Sequence, residues 1–288
     1  MKSLFLPVLG CLLVACAHAP SEKSETAVDQ RLQSVLAEQD EAVKARYPAR
    51  RPYETLKFFG VEPGMTVVEI LPGEGWYSKI LVSYLGEEGK LIGVDYPTTI
   101  WPNFPFANDA FIAERKQWPA RWAADAKQWA GDEGPQVAAY AFDQLPSSLD
   151  GSVDMVLYFR ALHGMARVEE KGGFLTDALN RTYKMLKPGG LVGIVQHQAR
   201  EDKSDAWADG TQGYMKSSYV KRMMEKAGFE LVSESSLNEN PKDQPGDEDG
   251  VWRLPPSLST SKDNPELQET FKAIGESNRM TLLFRKPQ

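Results

Sequence analysis

Apolar residues along this chain follow two different periods. Short runs rich in β-branched residues, bounded by Gly, Pro, Asn or Asp, read as buried strands. Seven such runs occur: Thr66–Leu71, Lys90–Asp95, Val137–Phe142, Val153–Tyr158, Leu191–Gln196, Phe229–Ser235 and Arg279–Phe284. Between them, helical patterns cover Trp76–Leu85, Gly173–Leu186 and Ser217–Ala227. Strands alternating with helices predict βαβ units, and therefore an α/β fold with a seven-stranded, mostly parallel sheet flanked by helices. Ahead of the sheet, the apolar residues from Val28 to Tyr47 recur at mostly helical spacing, with Pro48 as the stop. A second short helix, Tyr53–Phe59, ends at Gly60. Tyr96–Pro135 is Trp-rich and partly helical, and residues 236–265 read as one long loop.

The N-terminus reads as an address. Met1-Lys2 supplies charge, and the apolar run Leu4–Ala15 is too short for a membrane span. Leu13-Val-Ala-Cys16 resembles the bacterial lipobox. That resemblance implies a signal peptide over residues 1–15, cleavage before Cys16 and lipidation of its thiol. With Ala17 next in the chain, it implies an exported lipoprotein of the outer membrane that faces the periplasm. The alternative is ordinary signal cleavage at Ala17-His18-Ala19, although Pro20 would then follow the cut. Residues 16–27, small and polar, read as a flexible tether, and residues 28–288 as a single domain.

Composition narrows the partners. A net charge of -7 over 288 residues argues against nucleic acid, because phosphate neutralisation needs a basic face. The membrane is expected as a partner through the lipid anchor only, and a small molecule as the substrate. The two cysteines, Cys11 and Cys16, both lie in the leader, so the mature chain has no disulfide and no cysteine metal site. Of three histidines, His18 lies in the tether, which leaves His163 and His197 and no expected metal centre.

The chemistry is expected at the strand ends. Glu69-Ile-Leu-Pro-Gly-Glu-Gly75 is a Gly-rich turn after the first strand, where a backbone can approach a ligand closely. Asp95 ends the second strand 20 residues after Gly75, the place of an acidic side chain that accepts from ribose hydroxyls. Phe142-Asp-Gln-Leu-Pro146 follows the third strand and supplies polar edge contacts for a base. This ordered set is similar to the motifs of class I S-adenosylmethionine (SAM)-dependent methyltransferases. Gly151-Ser-Val-Asp-Met-Val156, Leu162-His163, Leu186-Lys-Pro-Gly-Gly-Leu191 and Ala227-Gly-Phe-Glu230 extend the resemblance over residues 55–235. Phe58–Met65, Pro72–Tyr77 and Ala273–Met280 further resemble a bacterial group of exported predicted methyltransferases of unsettled substrate. The resemblance implies a Rossmann-like fold, SAM as cofactor and methyl transfer to an acceptor it does not identify. It implies cofactor contacts from Glu69, Leu71, Pro72, Gly73, Gly75, Asp95, Asp143, Gln144 and Tyr158. Leu71 departs from the pattern, which has Gly there, and Pro72 after it is expected to hold Leu71 extended.

Candidates for catalysis are His163, His197 and Arg160. Each also has a structural reading: Leu-His is common near the cofactor without acting as a base, and His197 after the fifth strand suits a buried, hydrogen-bonded imidazole. Arg160 and Arg279 suit either an anionic substrate, the SAM carboxylate, or ion pairs. Glu69 suits either the methionine end of SAM or a salt bridge. Asp243–Asp249 reads as a solvated loop, and Trp101, Trp118, Trp122 and Trp129 as core packing. A second function stands beside methyl transfer: a lipoprotein that keeps the fold but binds another small ligand without catalysis.

Overall fold

Side chains alternate across a strand, so each strand here feeds two different cores. In the computed structural model, which describes residues 22–288, the strands are β1 (Thr66–Ile70), β2 (Lys90–Asp95), β3 (Gln136–Ala141), β4 (Val153–Phe159), β5 (Leu186–Ala199), β6 (Met215–Lys216), β7 (Glu230–Ser235) and β8 (Arg279–Arg285). Val67, Met155 and Leu157 point to one face, where they pack with Leu56, Phe59, Ile80 and Leu81 of the helices Pro52–Phe59 and Trp76–Leu85. Val68, Ile70, Val156 and Tyr158 point to the other, against Leu162, Leu175 and Leu179. The sheet order is β3-β2-β1-β4-β5-β8-β7, with the two-residue β6 pairing β5. β1 to β5 run parallel, while β8 is antiparallel to both β5 and β7. This is the mostly parallel α/β sheet expected from the alternating pattern, Rossmann-like as the resemblance implies, with β6 an eighth strand where seven were expected. β5 starts earlier than expected. Its pairing with β4 jumps from Val153–Leu186 to Met155–Leu191, so Lys187–Gly190 bulges out as the anticipated turn. A second register shift sits between Leu231 and Ser233 on the edge strand β7.

Several expectations are corrected. The single helix over Val28–Tyr47 is broken into Glu22–Ala37, Glu41–Lys44 and Tyr47–Arg50. The polar run Glu38-Gln-Asp-Glu41 offers no apolar contact to carry the helix across, and Asp40 is extended at ψ 149°. Pro48 opens the third piece rather than ending the first, since proline's missing N–H costs nothing in a first turn. The first helix begins at Glu22, inside the segment read as tether; Cys16 and the leader lie outside the described residues. Asp109–Ala130 is one helix of 22 residues, obscured in the sequence by Pro119 within it. Past the long loop, Pro265–Ile274 is helical, and Asn264 caps it by accepting from Leu267 N–H at 3.0 Å. The Asn-Pro-Glu signal for that cap is present in the sequence. Among the described residues, no helix is long and apolar enough to cross a membrane.

The turn after β1 corrects one expectation more. Leu71 has φ 51°, the left-handed region, and not the extended conformation that Pro72 favours. The turn wins because Leu71 N–H still bonds Val94 O at 2.8 Å while the chain must reverse by Gly75, whose N–H bonds Pro72 O at 3.0 Å. A branched side chain pays for this with strain of about 1–2 kcal/mol. Leu71→Gly and Leu71→Ala both lose a half-buried side chain, but only glycine relieves the backbone. We expect Leu71→Gly to be more stable than Leu71→Ala by about 1 kcal/mol in urea denaturation. Equal stability, or an advantage for alanine, contradicts the left-handed turn.

Candidate functional site

The strand order reverses between β1 and β4, and it is outside such a reversal that open α/β sheets bind ligands. A crevice of about 540 Å³ lies there, lined by Glu69 and Leu71–Glu74 from the β1 turn, by Phe159 at the end of β4, and by Arg160 and His163 after it. His197 adds the C-terminal end of β5. Arg160, like Leu71, is left-handed, at φ 58°, so both edges of the reversal carry a strained non-glycine residue.

Three of the walls were not legible as site residues. Arg46 and Arg50 come from the broken N-terminal helices, Glu276 and Ser277 from the approach to β8, and Trp252 from the long loop. Glu276 lies within the motif-like Ala273–Met280, but nothing in the sequence points from Arg46 or Arg50 to the sheet edge. Glu276 gathers four arginines. Arg46 Nε donates at 2.9 Å, Arg50 Nε at 3.3 Å and Arg279 Nη1 at 3.2 Å, while Arg160 Nη1 stands 3.7 Å away. Burial pushes the Glu276 carboxyl up, but the arginines outweigh it and hold it below its usual range. Arg279 thus serves a structural ion cluster and bonds Ala49 O, while Arg160 reaches the crevice.

The long loop is solvated at Asp247 and Glu248, as expected, but fixed at its start. Asp243 is buried; it accepts from Arg253 Nη2 at 2.7 Å, from the Tyr214 hydroxyl at 2.9 Å and from Asn278 N–H at 2.8 Å. This network pins the Trp252 segment beside Ser277, so an acidic residue read as loop decoration holds one wall in place. Trp252 sits 6.0 Å from the His163 ring, and the two histidine rings are 5.4 Å apart.

Glu69 points to the helix Trp76–Leu85 and accepts from Ser78 Oγ at 2.6 Å. With only 2% exposure, burial pushes its carboxyl up to about 7 against the lowering effects of Ser78 and Arg160. His163 is pushed down to about 4 by burial, and His197 well below its ordinary value by burial and the nearby His163 and arginines. Both imidazoles are therefore neutral near pH 7. His197 Nδ1 is 2.5 Å from Ser277 Oγ, and the Gln196 amide contacts His163 Nδ1 at 3.4 Å.

The remaining sequence candidates lie elsewhere. Asp95 is at the end of β2 but buried, with Arg115 Nε donating to it at 3.0 Å. Gly75 is covered by Trp129, whose ring stands where a Cβ would sit. Asp143 and Gln144 are exposed, and Asp143 accepts from Thr98 N–H at 3.1 Å. Tyr158 is wholly buried, its hydroxyl 2.7 Å from Thr182 Oγ1, on the face away from Glu69. Trp118 and Trp122 pack in the core as expected. Among the described residues, no three His, Cys, Asp or Glu side chains are grouped to hold a metal ion.

No protein-family model matches the sequence, and no curated protein sequence does. Solved structures match its fold. A chain of the complex between the Haloferax volcanii Trm112 methyltransferase activator and a protein described as a methyltransferase aligns with TM-score 0.50 at 16% identity, covering 91% of this chain and 98% of that one. The 4+2 cyclase SpnF aligns with TM-score 0.50 at 15% identity, over 93% of this chain and 97% of its own. These likenesses show the fold, a Rossmann-like sheet of the class I methyltransferase type.

The Glu69 carboxyl makes a pH test possible. Between its ordinary 4.5 and about 7, the folded state keeps a proton that the unfolded chain has released. Its contribution to stability is therefore full below pH 4.5 and is lost as pH rises through 7. Glu69→Gln removes that loss, and should gain on the parent by on the order of 3 kcal/mol from pH 4.5 to pH 8 in denaturant titrations. The histidine slopes are common to both proteins and cancel. Parallel curves for the two proteins refute a raised carboxyl.

Proposed function

We propose that this chain binds SAM at the C-terminal edge of β1 and transfers its methyl group to a small molecule in the adjoining crevice. The observation that carries the reading is that the methyltransferase-like turn, Glu69 to Glu74, walls the crevice at the reversal of strand order. Gly73, at φ 59°, has nothing within 4 Å of where a Cβ would be, which leaves its backbone open to a ligand. Glu69 and Gly73 would hold the methionine end, and Asp95 the ribose. The ribose end needs one exchange: Arg115, now on Asp95, must give way to the sugar hydroxyls. When bound, the cofactor supplies an electrophilic methyl on a sulfonium.

The chain's own part is mostly positioning for in-line attack and exclusion of water. Phe159 and Tyr77 stack at 3.6 Å to make a rigid apolar wall for the acceptor. Glu69, about half deprotonated near pH 7 in the free protein, would ionise against the ammonium of the methionine end and so fix the donor. His163, neutral, and Arg160 orient the acceptor from the β4 side.

A second reading draws support from Arg115. A buried acid already paired with a half-buried arginine suits a protein that uses the fold for a different ligand, and a similar structure is named as a cyclase rather than a methyltransferase. Titration calorimetry with S-adenosylhomocysteine separates the two. Under methyl transfer the parent protein binds it, Asp95→Ala weakens binding about tenfold or more, and Arg115→Ala, which frees the carboxylate, tightens it. No binding by either the parent or Arg115→Ala favours the second reading.

We also propose that the chain is exported and anchored through Cys16 at the outer membrane, facing the periplasm, on the support of the lipobox-like Leu13–Cys16. Cys16→Ser should leave the membrane fraction on cell fractionation. A variant that sediments with membranes as the parent does removes the anchor.

A further inference from the structure

The arginine cluster has more charge than its carboxylate can use. Glu276 offers two oxygens to four guanidiniums, which leaves three positive charges in excess at the crevice end. Arg50 is 2% exposed, yet its Nη1 is buried without a hydrogen-bond partner among the described residues. Its guanidinium lies 4.5 Å over the Trp76 ring, which supplies contact but accepts no hydrogen bond in the ring plane. Among the described residues, the Arg160 side chain has only the long 3.7 Å contact to Glu276, and it sits on strained backbone. A buried donor left unpaired costs about 1–3 kcal/mol, and native proteins rarely keep one without a use.

We propose that the crevice takes an anionic small molecule, a carboxylate or phosphate, whose charge docks against Arg46, Arg50 and Arg160 beside the bound methyl donor. The inference rests on the methyl-transfer reading for the word donor, but the anion site itself does not. Guanidiniums match the oxygens of carboxylate and phosphate in paired, charge-assisted bonds. The unpaired Nη1 of Arg50 and the underused Arg160 provide the donors that Glu276 cannot satisfy. Burial pushes Arg50 down to about 9 and Arg160 to about 10, so both stay charged near neutral pH while short of counter-charge. The other carboxylates on the walls oppose this weakly: Glu69 is half protonated near pH 7, and Glu74 is exposed at the rim. The stacked Tyr77 and Phe159, with Trp252 on the same crevice, receive the organic body of the ligand. The anion anchors the acceptor, and the atom to be methylated lies at the other end, toward Glu69.

The probe is inorganic phosphate, titrated by calorimetry into the full mature protein against sodium chloride of equal ionic strength. Phosphate should bind the parent saturably, and Arg46→Gln, chosen because Arg46 is part-exposed, should weaken it about tenfold or more. Arg160→Gln replaces it if Arg46→Gln does not melt cooperatively. Glu276→Gln, which removes the competing carboxylate, should tighten phosphate, an effect that loss of structure would not produce. Phosphate should bind equally well with S-adenosylhomocysteine already present. The proposal is overturned if phosphate heats match chloride. It is also overturned if S-adenosylhomocysteine expels phosphate while 5′-methylthioadenosine, which lacks the carboxylate, does not; the arginines then hold the donor's own carboxylate. Phosphate binding without any binding of S-adenosylhomocysteine keeps the anion site and sinks only the methyl donor.

Discussion

The contact on which the rest of the site depends is the Glu276 carboxylate. It joins Arg46 and Arg50 of the N-terminal helices to Arg160 after β4 and Arg279 on β8, three parts of the chain separated by more than a hundred residues each. Buried ion clusters are poor sources of net stability, since desolvation offsets most of the attraction, but losing one member strands the others. The cluster therefore acts as a positional constraint. It holds a helical segment that has no strand of its own against the sheet edge, and by doing so gives the crevice its basic wall. The Asp243 network does the same for the Trp252 loop. Each wall is thus hung on one buried carboxylate.

The two strained residues follow from the same geometry. Leu71 and Arg160 end the adjacent strands β1 and β4, where the chain must leave the sheet in opposite directions. A glycine at either point would remove the strain. At position 71 the side chain instead joins the core beneath the turn, and at 160 it delivers a guanidinium to the crevice. Strain at a switch point is the cost of placing a side chain where backbone alone would be easier.

The sheet was legible because its strands are short β-branched runs between turn residues, a local signal. β2 matches the expectation to the residue, and β1, β3, β4, β7 and β8 to within one. Glu69, Leu71–Gly73, Arg160, His163 and His197 were named from the sequence, and the fold brings them to one crevice. What was not legible is long-range. Arg46, Arg50, Trp252 and Ser277 enter the site through ion pairs and loop packing that no spacing encodes. Asp95 and Tyr158 sit on the strands where expected, but their surroundings, Arg115 and Thr182, come from helices whose docking periodicity does not reveal. Leu71 misled because the local preference of a residue before proline was overruled by the turn that β1 and β2 demand.

The register shift on β7 has a consequence of a different kind. β7 is an edge of the sheet, and its outward side chains leave Leu231 and Val232 over a third exposed, so a regular strand here would invite a second chain to pair with it. The irregularity between Leu231 and Ser233 breaks the ladder in the middle of that edge and adds local twist. Glu230 and Glu234 flank it with like charge. The fold thus interrupts this border by misalignment, which leaves a second chain no continuous ladder to extend.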